Sequence, residues 1–185
     1  MTGLIYVFTG EGKGKTSAAL GVATRALLLE KKVVWVAFYK QESWGIAEAK
    51  LKERFANMEM VMGGRGFFMD ERVKSVGGKG HVVLDTAMAE EHKQAAQTCL
   101  RVAEEKLLSK PFLLVLDEIL NTVGDKLLTE QEIIELVAKR GNTNVIMTGR
   151  GAAQKIIEMA DLVTECKKIK HPYDEGKLAV AGLDY

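Results

Sequence analysis

Lys15 and Thr16 close the run Thr9-Gly10-Glu11-Gly12-Lys13-Gly14-Lys15-Thr16, a spacing suited to holding a chain of phosphates. Glycines let successive backbone N–H groups point into one hollow with no Cβ in the way, and a helix that starts there adds the positive end of its dipole. Lys15 is placed to lie on the phosphates and the Thr16 hydroxyl to reach a magnesium ion. The strict pattern G-x-x-x-x-G-K-[ST] asks for glycine where this chain has Thr9, and Gly10, Gly12 and Gly14 compensate. A glycine turn that binds nothing is the competing reading. The flanks argue against it, since the apolar run Leu4-Ile5-Tyr6-Val7-Phe8 precedes the loop as a strand and Ser17-Ala18-Ala19-Leu20 follows as a helix start.

A second group of polar residues stands at the end of Phe112-Leu113-Leu114-Val115-Leu116-Asp117-Glu118. Behind a phosphate loop, an apolar strand that ends in acids delivers Asp117 to the magnesium side of the phosphates, directly or through water. Downstream, Thr148-Gly149-Arg150-Gly151 follows another apolar strand; Arg150 is either a phosphate contact with paired donors or an arginine in a surface turn. Trp44, in Lys40-Gln41-Glu42-Ser43-Trp44-Gly45, is either a ligand contact or folded back on the core. Between Gly63 and Gly80, glycines join the bulky run Phe67-Phe68-Met69, which is read either as a functional loop awaiting an apolar ligand or as a plug on the core edge. His171-Pro172-Tyr173-Asp174-Glu175-Gly176 makes a specific turn in an otherwise charged tail.

The elements that must position these residues follow an alternating pattern. Leu20, Ala23 and Leu27 recur at helical steps, and Val33 to Tyr39 is nearly all apolar, like a strand buried on both faces. Together with the first strand they form a βαβ unit, and in open parallel sheets ligands collect at the carboxyl ends of the strands. A helix is expected from Ile46 to Arg54, a short strand at Asn57 to Met62, and a long helix capped by Asp85 that ends at Leu108. Thr129-Glu130-Gln131-Glu132 reads as a capping box, Asn144 to Met147 as a buried strand, and Leu162 to Cys166 as the last central strand. The fold class is α/β with a mainly parallel central sheet, in one domain spanning 1–185.

Composition narrows the function. With 26 basic and 25 acidic residues the formal charge is +1, so no broad attraction to nucleic acid or to an anionic membrane is built in. Hydrophobic residues make up 47% of the chain and charged residues 28%, which excludes a disordered chain. The apolar runs are too short to span a membrane, and no secretory leader precedes them. Cys99 and Cys166, without C-x-x-C pairing, fit free buried thiols in a reducing compartment, so a cytoplasmic location is expected.

Five separated segments resemble one family, the ATP:corrinoid (cob(I)alamin) adenosyltransferases of the phosphate-loop type. They are Thr9 to Thr16, Gly64-Arg65-Gly66-Phe67, Leu116-Asp117-Glu118-Ile119, Thr148-Gly149-Arg150-Gly151, and Lys170 to Gly176 with the terminal Gly182-Leu183-Asp184-Tyr185. The family shares the missing first glycine at Thr9. The resemblance implies a three-layer phosphate-loop NTPase (RecA-like) fold, and transfer of the 5′-deoxyadenosyl group of ATP to reduced cobalt with tripolyphosphate leaving. It further implies Mg²⁺ held near Thr16 and Asp117, Lys15 and Arg150 on the triphosphate, and Glu118 at the ribose hydroxyls. Phe67 would help the corrinoid lose its lower axial ligand, with Phe68 or Met69 in the place of a usual second aromatic. The expected partners are ATP, a reduced corrinoid, a flavoprotein as candidate reductant and a second copy in a homodimer. Two departures stand out: Glu11 replaces a common asparagine, and Met69 an aromatic. An ordinary ATPase of the same fold and a non-catalytic nucleotide-binding regulator are the alternative functions.

Overall fold

The computed structural model describes residues 2–66 and 87–184. Strands β1 (Ile5–Thr9), β2 (Val33–Ala37), β3 (Met58–Met62), β4 (Leu113–Asp117), β5 (Asn144–Thr148) and β6 (Leu162–Glu165) form one six-stranded sheet. Its order is β3-β2-β4-β5-β1-β6, and every neighbouring pair is parallel. The described helices are α1 (Lys15–Leu28), α2 (Leu51–Arg54), α3 (Ala89–Leu107), α4 (Asn121–Gly124), α5 (Glu130–Ala138) and α6 (Gln154–Met159).

Alternation along the strands explains the layering. Ile5, Val7, Val34, Val36, Leu114, Leu116, Val145 and Met147 turn to one face, where Ala96, Cys99 and Ala103 of α3, Ile133 and Val137 of α5 and Ile156 of α6 cover them. Phe8, Val33, Trp35, Ala37, Leu113, Val115 and Ile146 turn to the other, against Ala19, Ala23, Ala26 and Leu27 of α1. The central strands β2 and β4 are buried along their whole length, so only helices on both sides can cover them. Small residues on the inner face of α1 let that helix lie close to the sheet. The result is an α/β sandwich of three layers.

Parallel register brings the carboxyl ends of the strands to one edge. Ala37 stands beside Asp117 and Phe8 beside Thr148, so the loops after β1, β2, β4 and β5 open together.

Two expectations need correction, and that of two buried thiols holds in full only for Cys99. Leu162 to Cys166 does not supply a central strand: among the described residues β6 pairs only with β1, at the sheet edge, and all four of its residues are exposed. The helix expected over Ile46 to Arg54 is one 3-10 turn, Ala47–Lys50, followed by the single turn α2; a separate 3-10 turn, Glu42–Trp44, precedes it. Gly45 takes a left-handed φ of 61° and Ile46 is extended, which leaves too few residues for a stable longer helix. Cys166 is half-buried and Cys99 fully buried, both as free thiols. The Asp85 cap lies outside the described residues; α3 starts at Ala89, where the Glu91 carboxylate accepts a 2.7 Å hydrogen bond from the Met88 N–H.

The capping box at α5 forms as its sequence suggests. Thr129 N–H donates to Glu132 Oε2 at 2.7 Å, and Glu132 N–H donates to Thr129 Oγ1 at 3.2 Å. Replacing Thr129 with alanine is expected to lower unfolding free energy by about 1 kcal/mol, read as a shift in the urea midpoint, while nucleotide affinity stays unchanged. Weakened nucleotide binding would show that α5 communicates with the strand-end loops.

Candidate active site at the carboxyl edge of the sheet

The loop after β1 is held in shape by its own backbone. Gly14, at the start of α1, takes a φ of 115°, which side chains rarely tolerate, and it offers the first turn no side-chain acceptor. Gly12 lies flat on the end of β6: its N–H donates to Cys166 O at 2.6 Å, and a Cβ there would fall 2.6 Å from the same oxygen. Thr9, where the strict pattern has glycine, uses its hydroxyl to accept from the Ala152 N–H at 3.3 Å, tying the loop to the β5–α6 connection. Lys15 Nζ donates to the carbonyls of Gly10 and Gly12, both at 2.7 Å. Burial lowers the Lys15 pKa, and the nearby Arg150 guanidinium lowers it further. Lys13 forms an ion pair with Asp184 near the carboxyl end, and partial burial lowers its pKa too.

Asp117 is fully buried. Its Oδ1 accepts from Thr16 Oγ1 at 3.1 Å and from Thr148 Oγ1 at 2.8 Å. Lys40 Nζ faces Oδ2 at 2.9 Å, at an angle that makes the contact an ion pair rather than an aligned hydrogen bond. The next residue, Glu118, has a φ of 64°, a left-handed conformation that is strained for a residue with a Cβ. Thr148 Oγ1 holds this turn by accepting from the Glu118 N–H at 2.8 Å. Glu118 Oε2 is buried without a hydrogen-bond partner. Burial, and then repulsion from Asp117, push the Glu118 carboxyl up to about 7, against the pull of Lys40, Lys15 and Arg150.

Lys15, Thr16, Lys40 and Glu118 line one cavity of about 880 Å³. Glu11 to Ser17, Lys40, Glu118 and Arg150 form its polar side, and Leu20, Trp44, Ile46 and Leu51 an apolar wall. Trp44 is half-buried on that wall. Arg150 is anchored through its backbone N–H to Asn121 Oδ1 at 2.6 Å, and its guanidinium pairs at 3.5 Å with Glu11. Glu11, the unusual carboxylate of the loop, therefore meets a cation. The turn Pro172–Glu175 and Gly182 to Asp184 close the remaining side. Phe67, Phe68 and Met69 lie outside the described residues, so their part in any corrinoid site belongs to the sequence.

The donor set suits magnesium. Thr16 Oγ1 and the two carboxylates are hard oxygens, and a nucleotide-bound magnesium takes one or two protein ligands, leaving its other positions to phosphates and water. The sequence reading gave no role to Thr148 or Glu48 and left Lys40 as a loop residue. Thr148 was detectable only through strand order, because it meets Asp117 by lying on the neighbouring strand.

Comparison with known proteins agrees with this geometry. The family model described as "ATP:corrinoid adenosyltransferase BtuR/CobO/CobP" matches residues 1–185. A corrinoid adenosyltransferase of Escherichia coli (strain K12) is 38% identical over 184 residues, covering 99% of this chain and 86% of that protein. Corrinoid adenosyltransferase CobA of Salmonella typhimurium is 37% identical over 188 residues, with the same coverage. In fold the chain is similar to the flagellar accessory protein FlaH from Methanocaldococcus jannaschii, with a TM-score of 0.53 at 11% identity, over 88% of this chain and 70% of that one. A phosphate loop facing paired acids at the carboxyl edge of a parallel sheet, matched from end to end by the family model, means that this chain belongs to the ATP:corrinoid adenosyltransferase family, enzymes that adenosylate corrinoids at the expense of ATP.

Proposed function

We propose that the cavity holds Mg-ATP with its triphosphate on the loop after β1, and that a reduced corrinoid takes the adenosyl group there in a single displacement. The cobalt(I) electron pair forms a bond to C5′, the C5′–O bond breaks, and its electrons leave with tripolyphosphate. The observation that carries this reading is the convergence of the loop, Lys15, Thr16, Glu118 and Arg150 on one cavity. Charge builds on the departing triphosphate, and preorganised donors aimed at that charge lower the barrier. Lys15, the loop amides and Arg150 supply those donors. Thr16, backed by Asp117, would hold the magnesium ion, which offsets phosphate charge when bound. Glu118, with a buried oxygen lacking a partner, is suited to accept from ribose hydroxyls.

Phe67, with Phe68 or Met69, is assigned to the corrinoid. An apolar face excludes water and offers cobalt no replacement for its lower axial ligand, which makes the metal easier to reduce. Cobalt(I) must be supplied by an electron donor, for which a flavoprotein is the candidate that the family resemblance implies. The remaining elements of the reading are a homodimer, a single domain and a cytoplasmic setting. Among the described residues, no helix is long and apolar enough to cross a membrane.

An anaerobic assay with ATP and chemically reduced cobalamin tests the reaction. One equivalent of tripolyphosphate should accompany each new cobalt–carbon bond seen in the visible spectrum; ADP and orthophosphate would identify a hydrolase instead. In the same assay Lys15→Ala should slow transfer by roughly a hundredfold to a thousandfold, by analogy with the loss of one charge-stabilising donor. A rate near that of the wild type would remove Lys15 from the triphosphate.

Glu118 gives a prediction that needs no substrate. Its carboxyl sits at about 7 in the folded protein, above the ordinary value of 4.5, so between these values the folded form keeps a proton that the unfolded chain has released. Stability contributed by this group is therefore lost as pH rises through that window. In metal-free protein, Glu118→Gln should match the wild type near pH 4.5 and exceed it above pH 7, by on the order of 1–3 kcal/mol. Denaturant titrations at several pH values measure the difference, and a pH-independent gap would show that Glu118 ionises like an exposed acid.

A further inference from the structure

Among the described residues Lys40 is the one lysine that is buried. It follows β2, and its position is fixed from both sides by main-chain bonds: Phe38 N–H donates to Asp117 O at 3.1 Å, and Gly64 N–H to Lys40 O at 3.1 Å. Its ammonium bridges two carboxylates, lying 2.9 Å from Asp117 Oδ2 and donating to Glu48 Oε1 at 3.1 Å. All three side chains are nearly or completely out of solvent, at 11% exposure for Lys40, 10% for Glu48 and 0% for Asp117. Burial by itself would lower the Lys40 pKa, but Asp117 and Glu48 outweigh it and hold it above the usual lysine range. Lys40 is therefore a fixed positive charge at this site across ordinary pH.

Asp117 has no freedom left once Lys40 is in place. Oδ2 faces the ammonium, and Oδ1 is shared by the hydroxyls of Thr16 and Thr148. Because the Thr16 hydroxyl spends its hydrogen on Asp117, its oxygen presents only lone pairs to the cavity that Thr16 lines. A metal cation accepts only lone pairs. The orientation of one hydroxyl hydrogen, set two contacts away, thus decides whether Thr16 can serve as a metal ligand.

We propose that Lys40 is a positioning residue for the metal-dependent part of nucleotide binding: it locks Asp117 onto the Thr16 hydroxyl, so that the Thr16 oxygen is turned toward the cation accompanying the triphosphate. This inference rests on the Mg-ATP reading of the cavity. Lys40 acts through Asp117 and makes no phosphate contact. Glu48 acts one step further out, as the second carboxylate that holds the ammonium.

Calorimetric titration of the full chain with ATP, once in EDTA and once with excess Mg²⁺, separates the two components of binding. The wild type should bind ATP more tightly with magnesium. In Lys40→Met, metal-free affinity should stay within about threefold of the wild type, while the gain on adding magnesium should shrink by on the order of tenfold, the range for losing a residue that orients a metal ligand. Asp117→Asn should lose the same gain, and adding Lys40→Met to it should cost nothing more, because both substitutions break one chain of contacts. Adding Glu48→Gln to the double variant leaves none of the three buried groups charged and alone, so that triple variant tests the inference even where Lys40→Met alone fails to fold. A large loss of metal-free affinity in the double variant relative to Asp117→Asn would make Lys40 a phosphate contact and overturn the proposal. So would a full magnesium gain in Lys40→Met. If the wild type shows no gain from magnesium, the Mg-ATP reading itself fails, an outcome distinct from either of these.

Discussion

One buried carboxylate decides how this edge of the sheet is assembled. Placing Asp117 out of water would cost several kcal/mol if its charge were left alone. The chain offsets that cost with groups drawn from three separate elements: Lys40 beyond β2, Thr16 in the first turn of α1 and Thr148 at the end of β5. Each of these groups can reach Asp117 only when its own element is in register. The same contacts that make burial tolerable therefore fix the relative positions of the loop after β1, Asp117 and the loop that carries Arg150. Removing one partner leaves a buried charge unbalanced, so the site is more sensitive to single changes than its exposed ion pairs suggest.

The sheet supplies the geometry that this constraint needs. Parallel strands with aligned carboxyl ends bring Ala37 beside Asp117 and Phe8 beside Thr148, and the loops that follow inherit that alignment. This edge also carries backbone strain. Glu118 is left-handed there and still carries a side chain, and the Thr148 hydroxyl that accepts from its N–H also donates to Asp117. A single threonine thus stabilises both the buried charge and the unfavourable turn beside it. The outcome is a carboxylate displayed on the cavity wall, one residue beyond a carboxylate that is hidden.

Features set by local pattern were legible in the sequence, and those set by strand order were not. The phosphate loop, the apolar strand ending in two acids and the capping box at Thr129 each depend on residues within about ten positions of one another, and each is where its pattern places it. The alternation of strand and helix gave the α/β class. By contrast, Leu162 to Glu165 is as β-prone as a central strand, and only the position of β1 in the sheet makes it an edge. The segment from Ile46 to Arg54 has helical composition, but with Gly45 left-handed before it and Phe55 extended after it, it forms only a 3-10 turn and one α-helical turn. Lys40, Glu48 and Thr148 carry no signature of their own, because what gives them a role is Asp117, far away in sequence. Phe67 to Met69 lie outside the described residues, so the corrinoid side of the site rests on family membership.

The charges at the cavity fall into two kinds, and the difference bears on how ATP could be taken up. Lys15 is engaged by the carbonyls of its own loop, Lys13 by Asp184, and Arg150 by Glu11. The Arg150–Glu11 pair is exposed, and exposed pairs contribute little, commonly less than about 1 kcal/mol. An anionic ligand can replace such exposed partners with charge-assisted bonds at small cost. Lys40 differs because its partners are buried with it, and exchanging them would strand Asp117 and Glu48 in a low-dielectric setting. The loop cations are thus poised to trade partners while the buried one stays fixed. That division leaves the exposed side of the cavity adaptable and its buried side rigid.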